Sequence, residues 1–339
     1  MGLAGPRDVA ARKGSASIAP DTHSSRPTPA PRNTRAAARS PATPVTVEGV
    51  RISSPGKVLW PDEGITKLEL VRYHAALAPV ILRYVRHRPL TLRPFPRGVD
   101  KPGFYIKDAP KGAPEWLQTF CDVAQSTGEA VHFVVAEDAR TLVWLAQFNS
   151  VEVHAWLSTV ECPDQPDWAV VDLDPPDEMP AGLRQRNVVT AAVAMRDELA
   201  RRGLKSFPKV SGQTGVHVLV PLDPVHRFDD VRAFFEQLGE DLCQALPDLL
   251  TTDYDIAGRG GRILVDYAQN SRAKTTVAPY SVRPKPGAPV ALPVTWDELK
   301  DPSFNREQWT LRTVPERVAK VGDLLEPALR VKQRLPAAR

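Results

Sequence analysis

The chain has 339 residues, 42% hydrophobic and 25% charged, with a formal net charge of +4; this is ordinary for a globular protein and enough for one large domain or two packed lobes. Cys121, Cys162 and Cys243 are far apart and form no C-x-x-C pair, which excludes a disulfide framework and a zinc knuckle. No run approaches the roughly 18 apolar residues of a membrane helix, and no apolar signal-peptide core opens the chain, so a cytoplasmic protein is expected.

Residues 1–47 are rich in Pro, Ala, Ser and Arg, lack apolar periodicity and read as a disordered tail. They carry seven Arg/Lys and two Asp, so the rest of the chain sums to about −1. The basic balance therefore belongs to the tail, which is an inert extension or a weak basic arm. Any nucleic-acid binding by the remainder has to come from local charge placement.

A β-like run at Val45–Ile52 marks the expected start of order. Leu68–Tyr84 is apolar at Leu70, Tyr73, Leu77, Val80, Ile81 and Tyr84, a helical spacing with Thr66 as N-cap. Leu90–Leu92 reads as a strand, followed by a Pro/Gly-rich loop through Gly103. Val131–Val135 and Leu142–Gln147 read as two more strands, and Ala169–Leu173 as another. A helix is expected over Gly182–Arg202, stopped by Gly203. Strands at Ser206–Val210 and Val216–Leu222 flank a glycine-bearing turn, and Asp229–Ala245 is an amphipathic helix. Arg262–Tyr267 and Thr275–Pro279 look like strands around a polar turn. Helical segments near Trp296–Leu299 and Val314–Gly322 close a domain spanning 48–330, and residues 331–339 are expected to fray. There is no internal repeat, and no complete P-loop or dinucleotide-binding glycine signature. The class is α+β or mixed α/β.

Three segments end an apolar strand in polar residues that packing alone would not demand. The run Trp168–Pro175 puts Asp172 and Asp174 on one face of a strand, where two carboxylates repel unless a cation or proton intervenes. Such a pair suits a hard divalent ion, though turn and capping chemistry is an equal alternative. Ser211–His217 contains glycines that let backbone N–H groups approach an anion, with Ser211 and His217 as further donors. Arg262–Asp266 delivers a single Asp, more often a turn acid. Together the three describe carboxylates and a phosphate-cradling loop, the parts of two-metal phosphoryl transfer.

The strings "KVLWPDEGITKLELVRYH", "RPLTLRPFPRGVDKPGFYIK", "VEVHAWLS", "VVDLDPP", "SGQTGVHVLVPL" and "ILVDYAQNSRAKTTVAPYSVRPKPGAPV" resemble, in order, the polymerase domain of bacterial ligase D. That domain belongs to the archaeo-eukaryotic primase superfamily. The resemblance runs from about Val50 to Leu299. It implies an α+β primase-polymerase fold, with an RRM-like catalytic sheet and a second β-rich lobe around a central cleft. It implies a nucleotidyltransferase that fills gaps and extends ends in the joining of DNA double-strand breaks, with ribonucleotides favoured.

Asp172, Asp174 and Asp266 match the family's metal-binding aspartates, which hold two Mn²⁺ or Mg²⁺ ions. One ion would activate the primer 3′-hydroxyl, and both would neutralise charge at the α-phosphate of an NTP or dNTP. His154 matches a histidine near the metals and nucleotide. Ser211, His217 and Arg283 match triphosphate contacts. Lys57 and Lys67 match the pair that grips the 5′-phosphate of a DNA gap or end, although without the resemblance both would read as solvated surface charge. Tyr105 stands where an aromatic stacks on template DNA, with ordinary packing beside Phe104 as the alternative and one of the two expected to pack, and Arg93 lies where a basic residue is typical.

Lys285 replaces the second arginine of the family's R-x-R; it can pair with the nucleotide triphosphate but lacks the bidentate fork. No K-x-D-G nucleotidyl-lysine motif is present. The expectation is a stand-alone, monomeric polymerase associated with the nucleoid, acting on 5′-phosphorylated DNA ends with Ku and a separate ligase as partners and no membrane. A primase that starts strands de novo and a catalytically weak DNA-end-binding scaffold are the alternatives the sequence leaves open.

Overall fold

Short apolar runs punctuated by proline and glycine yield strands of two to seven residues, and most of these gather into two sheets. The structure, a computed structural model, describes residues 45–123 and 127–336; the expected tail, up to residue 44, lies outside them. In chain order, β1 (Val45–Val47) and β2 (Val50–Ile52) form a hairpin, as do β3 (Val58–Trp60) and β4 (Ile65–Thr66). Helix α1 (Lys67–Val85) follows, then β5 (Pro89–Pro94), β6 (Thr119–Val123), β7 (Ala130–Val135), α2 (Ala139–Gln147) and β8 (Ser150–Trp156). Next come β9 (Trp168–Asp174), α3 (Ala181–Arg201), β10 (Phe207–Val210), β11 (Val216–Pro221) and α4 (Phe228–Ala245). The chain continues with β12 (Leu250–Thr251), β13 (Ile263–Asp266), β14 (Thr275–Val277), β15 (Leu292–Pro293), α5 (Trp296–Lys300) and α6 (Val314–Val321).

The larger sheet has the order β12-β13-β9-β11-β10-β15, antiparallel except for the β12–β13 pair. The smaller, β14-β8-β5-β7-β6, is antiparallel throughout. Helix α3 packs on the larger sheet against β9, β11 and β13, so Val171 and Leu173 can be fully buried while alternation turns Asp172 and Asp174 to the other face. Strand β13 covers only Asp172–Asp174 of β9. Farther along that edge the Asn270 carboxamide accepts from Val170 N–H at 2.9 Å and donates to Val170 O at 2.7 Å, replacing the missing strand.

Thr66 caps α1 in a reciprocal box: its Oγ1 accepts from Glu69 N–H, and the Glu69 carboxylate accepts from Thr66 N–H at 2.9 Å. Gly203, at φ +79°, follows α3 as expected.

Three expectations need correction. Leu142–Gln147 is the body of α2, not a strand: Asp138 Oδ1 accepts from Thr141 N–H at 2.8 Å and starts a helix that the apolar run then buries. The tail, bounded at residue 47, ends sooner: Val45–Val47 pair with β2, where the β-like run was expected to begin, because Glu48 and Gly49 both take positive φ in a tight turn. Residues 331–336, expected to fray, are tethered: the Gln333 side chain bonds Lys205 N–H and O and Pro221 O, and its carbonyl accepts from Asp223 N–H.

Asp138→Ala should lower unfolding stability by about 1 kcal/mol, the usual worth of an N-cap. The check is the denaturation midpoint by circular dichroism; an unchanged midpoint would contradict the cap.

Candidate active site

The pairing register lines up four polar side chains across the larger sheet. Lys209 on β10 opposes His217 on β11, His217 opposes Asp172 on β9, and Asp172 opposes Asp266 on β13. Directly opposed residues share a face, so the row is fixed by register alone. Asp174, two residues beyond Asp172, adds a third carboxylate to that face. Burial, then the charges of Asp174 and Asp266, push the Asp172 carboxyl up to about 7.

Each carboxylate is turned towards a protein partner. Asp172 Oδ2 lies 3.5 Å from His217 Nε2, and Asp174 Oδ2 lies 3.6 Å from Arg259 Nη1. Asp266 accepts from the Tyr254 hydroxyl at 3.0 Å, from Ala268 N–H at 2.9 Å and from Gln269 Nε2 at 2.7 Å. Accordingly, no set of three His, Cys, Asp or Glu side chains among the described residues stands in metal-holding geometry. The donor set nonetheless fits a divalent cation: three hard oxygen ligands on one face, one of them held partly protonated for want of positive charge.

The turn between β10 and β11 is built to hold its shape. Ser211 Oγ accepts from Gln213 N–H at 3.2 Å and Gly215 N–H at 3.1 Å. Gly212 has φ +72°, and a Cβ there would stand 2.7 Å from the Arg283 side chain and 2.8 Å from Val290 backbone, so only glycine lets Arg283 lie against the turn. Arg283 Nη1 donates to Ser211 O at 2.9 Å. On its other side, Arg306 Nη1 donates to the successive carbonyls of Gln213, Thr214 and Gly215 at 3.3, 2.6 and 3.1 Å.

The smaller sheet contributes Glu152 and His154 from β8. Glu152 is fully buried and receives Arg283 at 2.5 Å and Arg93 at 2.7 Å, with His154 Nε2 3.6 Å away. Burial pushes the Glu152 carboxyl up, but His154 and the two arginines outweigh it and hold it at about 2. His154 and His217 shift the other way: burial above all, with nearby cations, holds both imidazoles below their ordinary value and so neutral at pH 7. His217 therefore offers a phosphate one N–H hydrogen bond and no charge. Three buried polar atoms here lack a hydrogen-bond partner among the described residues, namely His154 Nε2, His217 Nδ1 and Arg93 Nε. Orphaned donors on this scale are uncommon in a core and mark a ligand site.

Lys57 and Lys67 come together as a pair. Lys67 is buried, and burial together with the Lys57 charge depresses its ammonium; Lys57 Nζ donates to Pro96 O. Arg93 lies 4.9 Å over the Tyr105 ring, which meets His154 edge-on at 5.6 Å. One of Phe104 and Tyr105 was expected to pack, but Phe104 is 51% exposed and Tyr105 58%, so neither is a core residue. Lys285 is not drawn in: it is exposed, its carbonyl accepts from Trp60 Nε1, and no side-chain bond joins it to the row among the described residues.

Sequence reasoning missed Lys209, Glu152, Tyr254, Arg259 and Arg306. Lys209 is 1% exposed and donates to Val277 O of the facing sheet at 2.7 Å; burial and Arg283 bring its ammonium down to about 7 against the pull of Asp172. A charged residue inside an apolar strand was the available signal for Lys209 and Glu152. The other three, Tyr254 in a loop and Arg259 and Arg306 in single 3-10 turns, carry no such mark.

Residues 66–325 match the family described as LigD, primase-polymerase domain. The chain belongs to that family. It is 36% identical over 285 residues to the multifunctional non-homologous end joining DNA repair protein LigD of Mycobacterium tuberculosis, covering 82% of this chain and 36% of that protein. It is likewise 36% identical to the Pseudomonas aeruginosa LigD (82% and 32%) and 30% identical to the bifunctional LigD of Bacillus subtilis (80% and 43%). The chain thus spans less than half the length of these LigD proteins. Its structure is similar to that of the polymerase domain from Mycobacterium tuberculosis ligase D in complex with DNA, with a TM-score of 0.76 and 33% identity over 83% of this chain and 98% of that one. The primase-polymerase fold expected from the resemblance is therefore the fold of this LigD-family chain, and its relatives act in end joining. No helix among its described residues is long and apolar enough to cross a membrane.

Because the folded Asp172 value of about 7 exceeds the ordinary 3.8, its contribution to stability is fully present below 3.8 and is lost as pH rises through 7. In a chelating buffer the wild type should lose stability relative to Asp172→Asn over that window. Parallel thermal-melting curves for the two proteins across it would contradict the assignment.

Proposed function

We propose that this chain is a template-directed nucleotidyltransferase that adds nucleotides, ribonucleotides by preference, to a 3′ end at DNA gaps and broken ends bearing a 5′-phosphate. The observation that carries this reading is the register-fixed row His217–Asp172–Asp266, with Asp174 beside it and the Ser211 turn and Arg283 at its β11 end. Carboxylates and a phosphate cradle on adjoining strands are what transfer of a nucleotidyl group requires.

Asp172, Asp174 and Asp266 would hold two divalent ions, Mn²⁺ or Mg²⁺, which when bound supply charge neutralisation at the α-phosphate and activation of the attacking hydroxyl. Arg283, anchored by buried Glu152 and by Ser211 O, presents a guanidinium whose direction is set before a nucleotide arrives. The Ser211 turn and neutral His217 add hydrogen bonds to the phosphates without adding charge that would hold the product. Arg259 and Tyr254 must release Asp174 and Asp266 for those carboxylates to turn inward. Tyr105, backed by Arg93 and His154, offers an exposed ring for stacking on the template. Lys57 and Lys67, on separate elements, form a two-point clamp for a terminal 5′-phosphate. Joining of the extended end would then fall to a ligase, with Ku holding the ends.

Asp172→Ala and Asp266→Ala should each reduce Mn²⁺-dependent primer extension on a gapped duplex at least 100-fold, as loss of a metal ligand does, while duplex binding persists. Extension at wild-type rates by either variant would refute the site. With Lys57→Ala/Lys67→Ala, extension on a simple primer-template should continue and the preference for a 5′-phosphorylated gap should vanish. Preference intact in the double variant would remove the lysines from this role. Running NTP against dNTP in the same assay, with an unprimed template alongside, separates gap filling from de novo priming.

A further inference from the structure

Beside the lysine pair lies a cavity of about 310 Å³, large enough for one nucleotide unit and at the small end of ligand sites. Its two ends differ. At one end the Lys67 ammonium meets only neutral acceptors: Ser53 Oγ at 3.3 Å, and Gln147 O and Oε1 at 3.4 Å each. No carboxylate compensates it among the described residues, and Lys57 adds a second positive charge at the rim through Pro96. A buried, uncompensated cation calls for an anion.

The remaining wall is apolar and aromatic. Trp144 and Phe148, one turn apart at the end of α2, stack at 5.5 Å with their planes 11° apart, and Phe104 and Pro94 complete the slot. Trp144 packs partly against the core, but Phe148 is only half-buried and Phe104 is 51% exposed, so core packing does not account for the whole aromatic wall. Asn149, which also lines the slot, sits in the left-handed region at φ +64°, and its buried Oδ1 has no hydrogen-bond partner among the described residues. An anion site, a flat aromatic wall and one unmet polar atom in a single nucleotide-sized cavity are together complementary to a nucleoside 5′-monophosphate.

We infer that this cavity receives the base of the 5′-terminal nucleotide of the downstream strand, unpaired from the template, while Lys57 and Lys67 hold its phosphate. The inference rests on the reading that the chain acts at 5′-phosphorylated ends. It adds a second criterion to that recognition: the end is read as a whole nucleotide. Because every base has a π face, the slot accepts any of the four. Seating the base costs one terminal base pair, so ends that fray readily are favoured.

The test is equilibrium binding of gapped duplexes, by fluorescence anisotropy without nucleotide or metal. The downstream 5′ end carries a phosphate with a normal base, a phosphate on an abasic sugar, a phosphate with a mismatched base, or a hydroxyl. The wild type should bind the abasic end about tenfold more weakly than the mismatched one, the scale of one lost stacking interaction when neither end gives up a base pair, and the normally paired end more weakly than the mismatched one. Phe148→Leu, which keeps the apolar volume but not the ring, should lose most of the base dependence and retain the phosphate dependence. Equal binding of abasic and mismatched ends by the wild type, with phosphate still required, overturns the base slot and leaves the 5′-phosphate reading intact. Indifference to the phosphate itself overturns both.

Discussion

The structure turns on one electrostatic constraint: strand register forces Asp172 and Asp266 into direct opposition, with Asp174 on the same face. Like charges so placed are unfavourable in a half-buried setting, and every neighbouring feature answers that cost. Lys209 approaches from the far end of the row, Arg259 reaches from a 3-10 turn to Asp174, and three donors converge on Asp266. Asp172, with the poorest compensation, keeps a raised carboxyl. The fold thus stores an unmet demand for positive charge at one point, which a divalent cation is suited to meet.

A second buried carboxylate shows the opposite solution. Glu152 in the facing sheet is surrounded by Arg93, Arg283 and His154 and is held fully ionised. Across the cleft, then, one carboxylate lacks cations and the other has a surplus. Arg93 is held by Glu152 through Nη1 yet retains an unpartnered Nε, so it is fixed without being saturated.

Much of this was legible in the sequence. The D-x-D run, the glycine turn and the Asp266 strand announced themselves because polar residues ending apolar strands conflict with packing, and the residue strings carried the family. The long helices were readable from period and caps. What was not legible has specific causes. Leu142–Gln147 is too short for periodicity to separate helix from strand, and only the Asp138 cap decides it. Tyr254 lies in a loop and Arg259 and Arg306 in single 3-10 turns, and they act across distances of 12 to 93 residues along the chain, beyond any local pattern.

Arg306 has a consequence that reaches beyond bracing. In a trans peptide the carbonyl and the amide hydrogen point in opposite directions. By drawing the carbonyls of Gln213 and Thr214 to itself, Arg306 turns the attached amide hydrogens of Thr214 and Gly215 away from it. One of these is spent on Ser211 Oγ; the other, on Thr214, has no recorded partner among the described residues. A guanidinium on one side of the turn thereby fixes the direction of a peptide dipole on the other, where an incoming anion would feel it.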